Sequence, residues 1–342
     1  MRVTREDVAR EASVSTATVS YVLNNTHHLS EETRSRVMKA VEKLGYKPDM
    51  IAKSMATNKT HQLAIVMDSL LNPYYGEIAI GFENAAVQEG YFINICSGQN
   101  NLDAYFDSFI GRRLDGILLL ALPDKFHIEN LYRLINSGVK IIMSDIDDID
   151  VSRVSMLDNN YYEGMKLAFE HLYNLGHREI VYLDVMQAQP GYQKVNYREK
   201  AFFECRKKYL ADSNKDNIVS FSQAGLNHIE KGFNAAQRLI ASGRTFTAVI
   251  CTNDLVAIGA INAFTDAGIS VPRDVSVVGF DNIVYGKSWE PAITSVYHDK
   301  MEFGKKAFDI LNNNINNNIT GFYKADVMLY KGASTAPPPA RK

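Results

Sequence analysis

Val14–Asn24, VSTATVSYVLN, decides how the N-terminal part of the chain is read. Just upstream, Arg5 to Ala12 keeps a helical period, with Thr4 as N-cap and Asp7 placed to complete a capping box. Ser13 to Ser15 break that period, and Ser15 caps a second helix. In the second helix Val19, Val22 and Leu23 fall at i, i+3 and i+4 and form one apolar stripe. Thr16, Ala17, Ser20, Tyr21 and Asn24 fall on the other side, so one face anchors and the other is free to read.

A third helix follows from Ser30, with Glu31 and Glu32 in its first turn, Val37, Val41 and Leu44 as its inner stripe, and Gly45 as its stop. Three short helices whose second begins with small side chains match a helix-turn-helix unit, in which that helix approaches base edges in a major groove. An ordinary three-helix cap on a larger protein would show the same pattern.

The 342 residues are 46% hydrophobic, enough for two or three folded domains. A formal net charge of -2 excludes a polycation that coats nucleic acid non-specifically, so DNA binding must be local. The first sixty residues carry a modest basic excess, including Arg2, Arg34, Arg36, Lys39, Lys43 and Lys47, suited to phosphate contacts. Cys96, Cys205 and Cys251 are widely spaced, with neither CxxC nor a histidine at metal spacing; free thiols and no metal or cofactor are expected. No signal pattern and no membrane-length apolar run is present, so a cytoplasmic protein without a membrane partner is expected.

Tyr46 to Thr60, YKPDMIAKSMATNKT, connects the helical unit to the first strand-like run, LAIVM. Pro48 can start a helix, and Ile51 with Met55 and Ala52 with Ala56 repeat at i+4 for barely two turns. So short a helix is marginal in water and needs a partner to fold. Met55, between Lys53 and Lys59, could wedge between base steps from the minor groove while lysines meet phosphates; a plain tether fits the segment equally well.

From Leu63 onward, short apolar runs (LAIVM, FINIC, GILLLAL, KIIM, EIVYL, TAVICT, VSVVGF) alternate with helical patterns. Strands apolar throughout and alternating with helices predict parallel sheets covered on both faces. A polar stretch from Asp145 separates two such series, so two half-domains should face each other across a cleft. Ligands of doubly wound sheets sit beyond the carboxyl ends of the strands. Asp68, Tyr74 and Tyr75 after the first strand, Arg198 after a Gln-rich loop, Asn253 and Asp254 after TAVICT, and Asp281 after VSVVGF lie there. Carboxylates, arginine and tyrosine rings suit a polyhydroxylated ligand. Each has a plainer role available too: Asp254 as a helix cap, Asp281 as a turn former, Arg198 in a surface ion pair.

The run from Val3 to Ala64, including VTREDVAREASVSTATVSYVLN, SEETRSRVMKAVEKLGYKP and AKSMA, closely resembles the LacI/GalR family of bacterial transcription regulators. TNDLVAIGAINAFTDAGISVPRDVSVVGFDN from Thr252 and the closing KGASTAPPP resemble that family's effector-binding core, itself similar to periplasmic sugar-binding proteins. The resemblance implies an N-terminal all-α helix-turn-helix headpiece on an α/β periplasmic-binding-protein-like core of two parallel-sheet subdomains. It places the headpiece at 1–47 and the hinge helix and linker at 48–60. The core at 61–342 then has an N-subdomain of about 61–160 plus 292–324 and a C-subdomain of about 161–291 plus 325–342. It implies DNA contacts from Thr4, Ser15, Thr16, Ala17, Thr18, Ser20, Tyr21 and Asn24, and from Ala52, Lys53 and Met55 in the hinge. Met55 stands where the family has a leucine wedge, and Tyr21 where arginine or histidine is common. Among the cleft residues it supports Arg198, Asn253, Asp254 and Asp281 as effector contacts. Asn227 and His228 fall where an aromatic ligand cover is often found.

The helix from Asp254 to Ala267 is apolar nearly all round, and that from Tyr75 similarly so; the surplus faces are expected to meet a second copy. A two-fold homodimer would set two reading helices about 34 Å apart on a near-palindromic double-stranded operator. The tail has no heptad, so no coiled-coil tetramer is expected. The sequence thus predicts a non-enzymatic DNA-binding regulator, a repressor, controlled by a small-molecule effector such as a sugar. A regulator switched by a protein corepressor, or a sugar-binding protein without regulation, are the alternatives. Tyr21→Ala should shift operator preference, and Met55→Ala should weaken specific but not non-specific binding; equal loss on operator and random DNA in titrations for both variants would contradict these roles.

Overall fold

The computed structural model describes residues 3–24, 27–47, 54, 59–98, 102–120, 127–144, 150, 152–185, 196–211, 217–221, 223 and 225–340. They belong to two compact units, residues 1–61 and 62–342. Ala52, Lys53 and Met55 of the expected hinge lie outside the described residues, as does the side chain of Asn24.

The first unit holds α1 (Arg5–Glu11), α2 (Thr16–Asn24) and α3 (Glu31–Leu44). Thr4 Oγ1 accepts from the Asp7 backbone N–H while the Asp7 carboxylate accepts from the Thr4 N–H, a closed capping box. Ser13 turns the chain between α1 and α2 in the left-handed region at φ 51°, and Gly45 ends α3 at φ 62°. Val8, Ala9 and Ala12 of the first helix pack on Val19, Val22, Val37, Ala40 and Tyr46. The stripe read from the sequence therefore faces this small core.

The second unit is built from two six-stranded sheets. In the first, β1 (Gln62–Met67), β2 (Phe92–Ser97), β3 (Gly116–Leu119), β4 (Lys140–Ser144), β5 (Ser155–Asp158) and β11 (Phe322–Lys324) lie in the order β11-β5-β4-β3-β1-β2, all parallel. In the second, β6 (Ile180–Asp184), β7 (Ile218–Ser220), β8 (Ala248–Cys251), β9 (Ser276–Phe280), β10 (Thr294–Tyr297) and β12 (Met328–Tyr330) lie in the order β12-β10-β9-β8-β6-β7. Only the β10–β12 pair is antiparallel. Helices cover these sheets: α4 (Pro73–Gln88), α5 (Leu102–Arg112), α6 (Ile128–Asn136) and α12 (Lys300–Asn317) belong with the first. With the second go α7 (Tyr161–Asn174), α8 (Tyr197–Leu210), α9 (His228–Ala241), α10 (Asp254–Asp266) and the short α11 (Val284–Lys287). The inner strands are buried on both faces, as their unbroken apolar runs require.

The chain crosses between the sheets three times: after Asp158, after Tyr297 and after Lys324. The second crossing corrects the boundary expected at 292. Pro291 marks a turn, but the following Thr294–Val296 pair in parallel with Val278–Phe280, so β10 stays in the second sheet.

Each subdomain contains one helix pair packed backbone to backbone. A Cβ on Gly81 would stand 2.1 Å from Met301 O and one on Gly304 2.0 Å from Ile78 O, so α4 and α12 touch there directly. In the second subdomain Gly232 and Gly259 play the same part, with Cβ positions 2.3 Å from Val256 O and 2.0 Å from Ile229 O. This contact corrects the expectation for α10. Val256, Ala257, Ile258, Ala260, Ile261, Ala263 and Phe264 are all buried within the monomer, between α9 and the sheet, leaving no surplus apolar face. On α4, by contrast, Ile80 and Val87 remain exposed.

Gly259→Ala and Gly304→Ala should each cost about 1–3 kcal/mol, because backbone has to move apart. Gly76→Ala, also on α4 but with open space at its Cβ, should be neutral or stabilising by up to about 1 kcal/mol. Urea midpoints at unchanged m-value measure the difference, and equal effects at all three positions would refute the close-contact account.

Candidate functional site

The reading face of the first unit is α2. Thr16, Ala17 and Tyr21 are exposed, and the Tyr21 ring rests on His27 from the following loop at 4.0 Å between centroids. Ser15 Oγ accepts from the Thr18 backbone N–H at 3.0 Å and lies 2.9 Å from Thr18 Oγ1. These two hydroxyls, like that of Thr4, are engaged in starting helices, whereas Thr16, Ala17 and Tyr21 are presented outward.

In the second unit the carboxyl ends of strands from both sheets bring side chains within electrostatic or hydrogen-bonding reach of one another. Asp68 follows β1, and Arg198 comes from the first turn of α8. His228 opens α9, Asn253 follows β8 and Asp281 follows β9. Arg198 is buried with its guanidinium 3.5 Å over the Tyr161 ring and 5.1 Å from that of Phe280. This stacking holds the guanidinium plane in a fixed orientation. Arg198 acts electrostatically on both Asp281 and His228, and Asp68 acts on His228 from the opposite subdomain. Burial pushes the Asp281 carboxyl up to about 6, opposed by Arg198 and Lys300 and reinforced by Glu77. Burial, with Lys231 and Arg198, depresses the His228 imidazole, and Asp68 works against this.

Asp281 sits on a strained turn at φ 90°, followed by Asn282 at φ 47°. Its backbone N–H donates to Val296 O and its carbonyl accepts from Lys300 Nζ, both at 2.7 Å. Beneath it lies Asp254, which corrects an expected effector contact: it is 1% exposed and wholly engaged in the fold. Asp254 Oδ1 accepts from Ser295 Oγ at 2.7 Å and Oδ2 from the Ile283 N–H at 2.9 Å, while Ser295 Oγ also accepts from the Asn282 N–H at 2.9 Å. Gly279 and Gly286 make room for it, since a Cβ at either would stand 2.1 or 2.9 Å from its carboxylate. Burial drives its carboxyl well above the usual range despite the Ser295 bond.

Two other expected contacts are also reassigned. Tyr74 turns inward, its hydroxyl donating to Asn159 Oδ1 at 2.7 Å and lying 3.1 Å from His298 Nε2. It thereby links α4 to the first two crossings, and burial holds the His298 imidazole down at about 4. Tyr75 stands edge-on to it, partly buried against the first core. Asn227 is exposed and serves as N-cap of α9 in a capping box with Glu230. Its neighbour His228 reaches the cleft instead, with Nδ1 2.7 Å from Asn253 Nδ2. Tyr161, Phe280 and Lys300 complete the surroundings of Arg198 and Asp281; no spacing in the sequence marks them, because each arrives from a different crossing or strand end. Among the described residues no group of three metal-ligating side chains occurs, and no helix is long and apolar enough to cross a membrane.

Since the folded-state pKa of Asp281 is raised, its protonated form is favoured by folding. The contribution is present below its unfolded pKa and is lost as pH rises through about 6. The isosteric Asp281→Asn variant should therefore gain thermal stability relative to the parent between pH 4 and pH 7; a difference independent of pH would contradict the burial of this carboxyl.

Comparison with known proteins gives these features a family. Residues 4–49 match the model for bacterial regulatory proteins of the lacI family, and residues 169–335 a periplasmic binding protein-like domain. The HTH-type transcriptional repressor PurR of Mannheimia succiniciproducens is 32% identical over 311 residues, covering 90% of each chain. Among solved structures, the lac repressor dimer bound to operator and the anti-inducer ONPF superposes with a TM-score of 0.82 at 23% identity, over 98% of this chain and 100% of that one. The transcriptional regulator CelR–cellobiose complex does so at 0.71 and 23%, over 97% and 100%. With a helix-turn-helix unit whose second helix presents Thr16, Ala17 and Tyr21, followed in sequence by a two-sheet core, the chain belongs to the LacI family and is a DNA-binding transcriptional repressor.

Proposed function

We propose that this repressor acts as a homodimer on a near-palindromic operator and is controlled by a polyhydroxylated small molecule, a sugar or sugar derivative, bound between its two subdomains. The observation that supports the reading is the mutual electrostatic or hydrogen-bonding reach of Asp68, Arg198, His228, Asn253 and Asp281, which come from both subdomains. A ring-bearing ligand with hydroxyls meets there carboxylate acceptors, a guanidinium held flat against Tyr161, an amide and an imidazole. The CelR–cellobiose complex, of the same fold, supports a carbohydrate as the ligand.

Closure on the ligand would change the angle between the subdomains at the three crossings, and that change would reach the reading helices through residues 48–60. The homodimer is supported by apolar side chains left exposed on adjoining elements: Leu70 and Leu71 after β1, Ile80 and Val87 on α4, and Phe92 and Ile95 on β2.

A thermal-shift screen with D-glucose, D-ribose and cellobiose, with purine bases as a comparison set, tests the proposal. A ligand at a hundredfold excess over its Kd should raise Tm by roughly 5–10 °C. Arg198→Ala should abolish that rise and the ligand's effect on operator binding, while ligand-free operator binding persists. A rise with purine bases alone overturns the carbohydrate assignment, and no rise with any compound favours a protein corepressor.

A further inference from the structure

Asn253 is the N-cap of α10, and its Oδ1 accepts from the Val256 N–H at 3.0 Å. This bond fixes the orientation of the amide, so Nδ2 is the atom that meets His228 Nδ1 at 2.7 Å. An amide nitrogen donates and does not accept, so Nδ1 must be the accepting nitrogen and the ring proton of the neutral imidazole lies on Nε2. A second proton on Nδ1 would set two donors against each other at that distance. The cap of one helix thereby dictates the tautomer of a residue that starts another.

Nε2 lies on the opposite edge of the ring from Asn253, and His228 is only partly buried. Among the described residues Nε2 makes no hydrogen bond. The charged groups that bear on the ring are Asp68 from the end of β1, Arg198 from α8 and Lys231 from its own helix.

We infer that His228 is a specificity-determining residue of the effector cleft, a neutral imidazole locked by Asn253 in the Nε2–H form that donates one directed hydrogen bond to an oxygen acceptor of the effector. The acceptor is a hydroxyl or carbonyl oxygen; a group with only donors, such as an ammonium, meets N–H against N–H there. The inference rests on the cleft being the effector site. It adds which polarity of group that site selects at this position.

The test uses the full-length protein. Long-range 1H–15N NMR at neutral pH, with the His228 signals assigned by their loss in His228→Gln, should show a pyridine-like Nδ1 and a pyrrole-like Nε2. In Asn253→Asp the carboxylate still caps the helix but accepts from Nδ1–H, and the ring should switch tautomer or become protonated. The carbohydrate giving the largest thermal shift among D-glucose, D-ribose and cellobiose should move the Nε2 signal. Its affinity should fall about tenfold in His228→Phe and Asn253→Asp and be largely kept in His228→Gln, whose amide can donate from a similar position. A wild-type ring with Nδ1–H or a mixture of tautomers overturns the inference, as does equal affinity of the Phe and wild-type proteins. If no carbohydrate stabilises the protein, the carbohydrate-site reading fails instead, whatever the tautomer.

Discussion

The buried carboxylate of Asp254 holds together the part of the second subdomain on which the cleft depends. Its two oxygens take hydrogen bonds from Ser295 on β10 and from the backbone of Ile283, and Ser295 in turn takes one from Asn282. An acid so fully enclosed is stable only where its acceptors are satisfied, and here the donors come from the turn that carries Asp281. The strained backbone at Asp281 and Asn282 persists because this network over-determines it. What Asp281 offers to the cleft is thus a consequence of what Asp254 holds beneath it.

The three crossings have a comparable network. Asn160 Nδ2 donates to Ala325 O at 3.0 Å and the Ala325 N–H to Asp158 O at 2.8 Å, joining the first crossing to the third. Tyr74 and His298 connect the first crossing to the second, and Lys300 ties the second to the Asp281 turn. Each subdomain has a helix pair in backbone contact, at Gly81 and Gly304 or at Gly232 and Gly259, so any relative movement of the two subdomains would have to be taken up at these crossings. A ligand touching Asp68 on one side and Arg198 on the other would bias that movement by the difference in its contacts between open and closed forms.

The elements were legible wherever periodicity or capping carried them. The Thr4–Asp7 box, the stripe of Val19 and Val22, the Gly45 stop and the apolar strands all rest on local chemistry, and the structure has each in place. The cleft was legible as a set of strand ends, because ligands of doubly wound sheets sit there, but not as individual roles. Asp254 and Asp281 each follow a strand, and only the partners met in the fold separate a carboxylate enclosed by Ser295 and Ile283 from one under the influence of Arg198. The apolar helix Asp254–Asp266 misled for a related reason: a helix sandwiched inside a monomer and one half-covered by a second copy have the same composition.

By itself the sequence determined the helix-turn-helix unit with its outward Thr16, Ala17 and Tyr21, and the two βα series that follow, since both rest on patterns spanning only a few residues. Tertiary structure alone decided that β10 belongs to the second sheet, that Asn227 caps while His228 faces the cleft, and that Asn253 sets the ring's tautomer. Those outcomes depend on which groups distant in the chain come within hydrogen-bonding distance and which are shut away from water, and no local pattern encodes either.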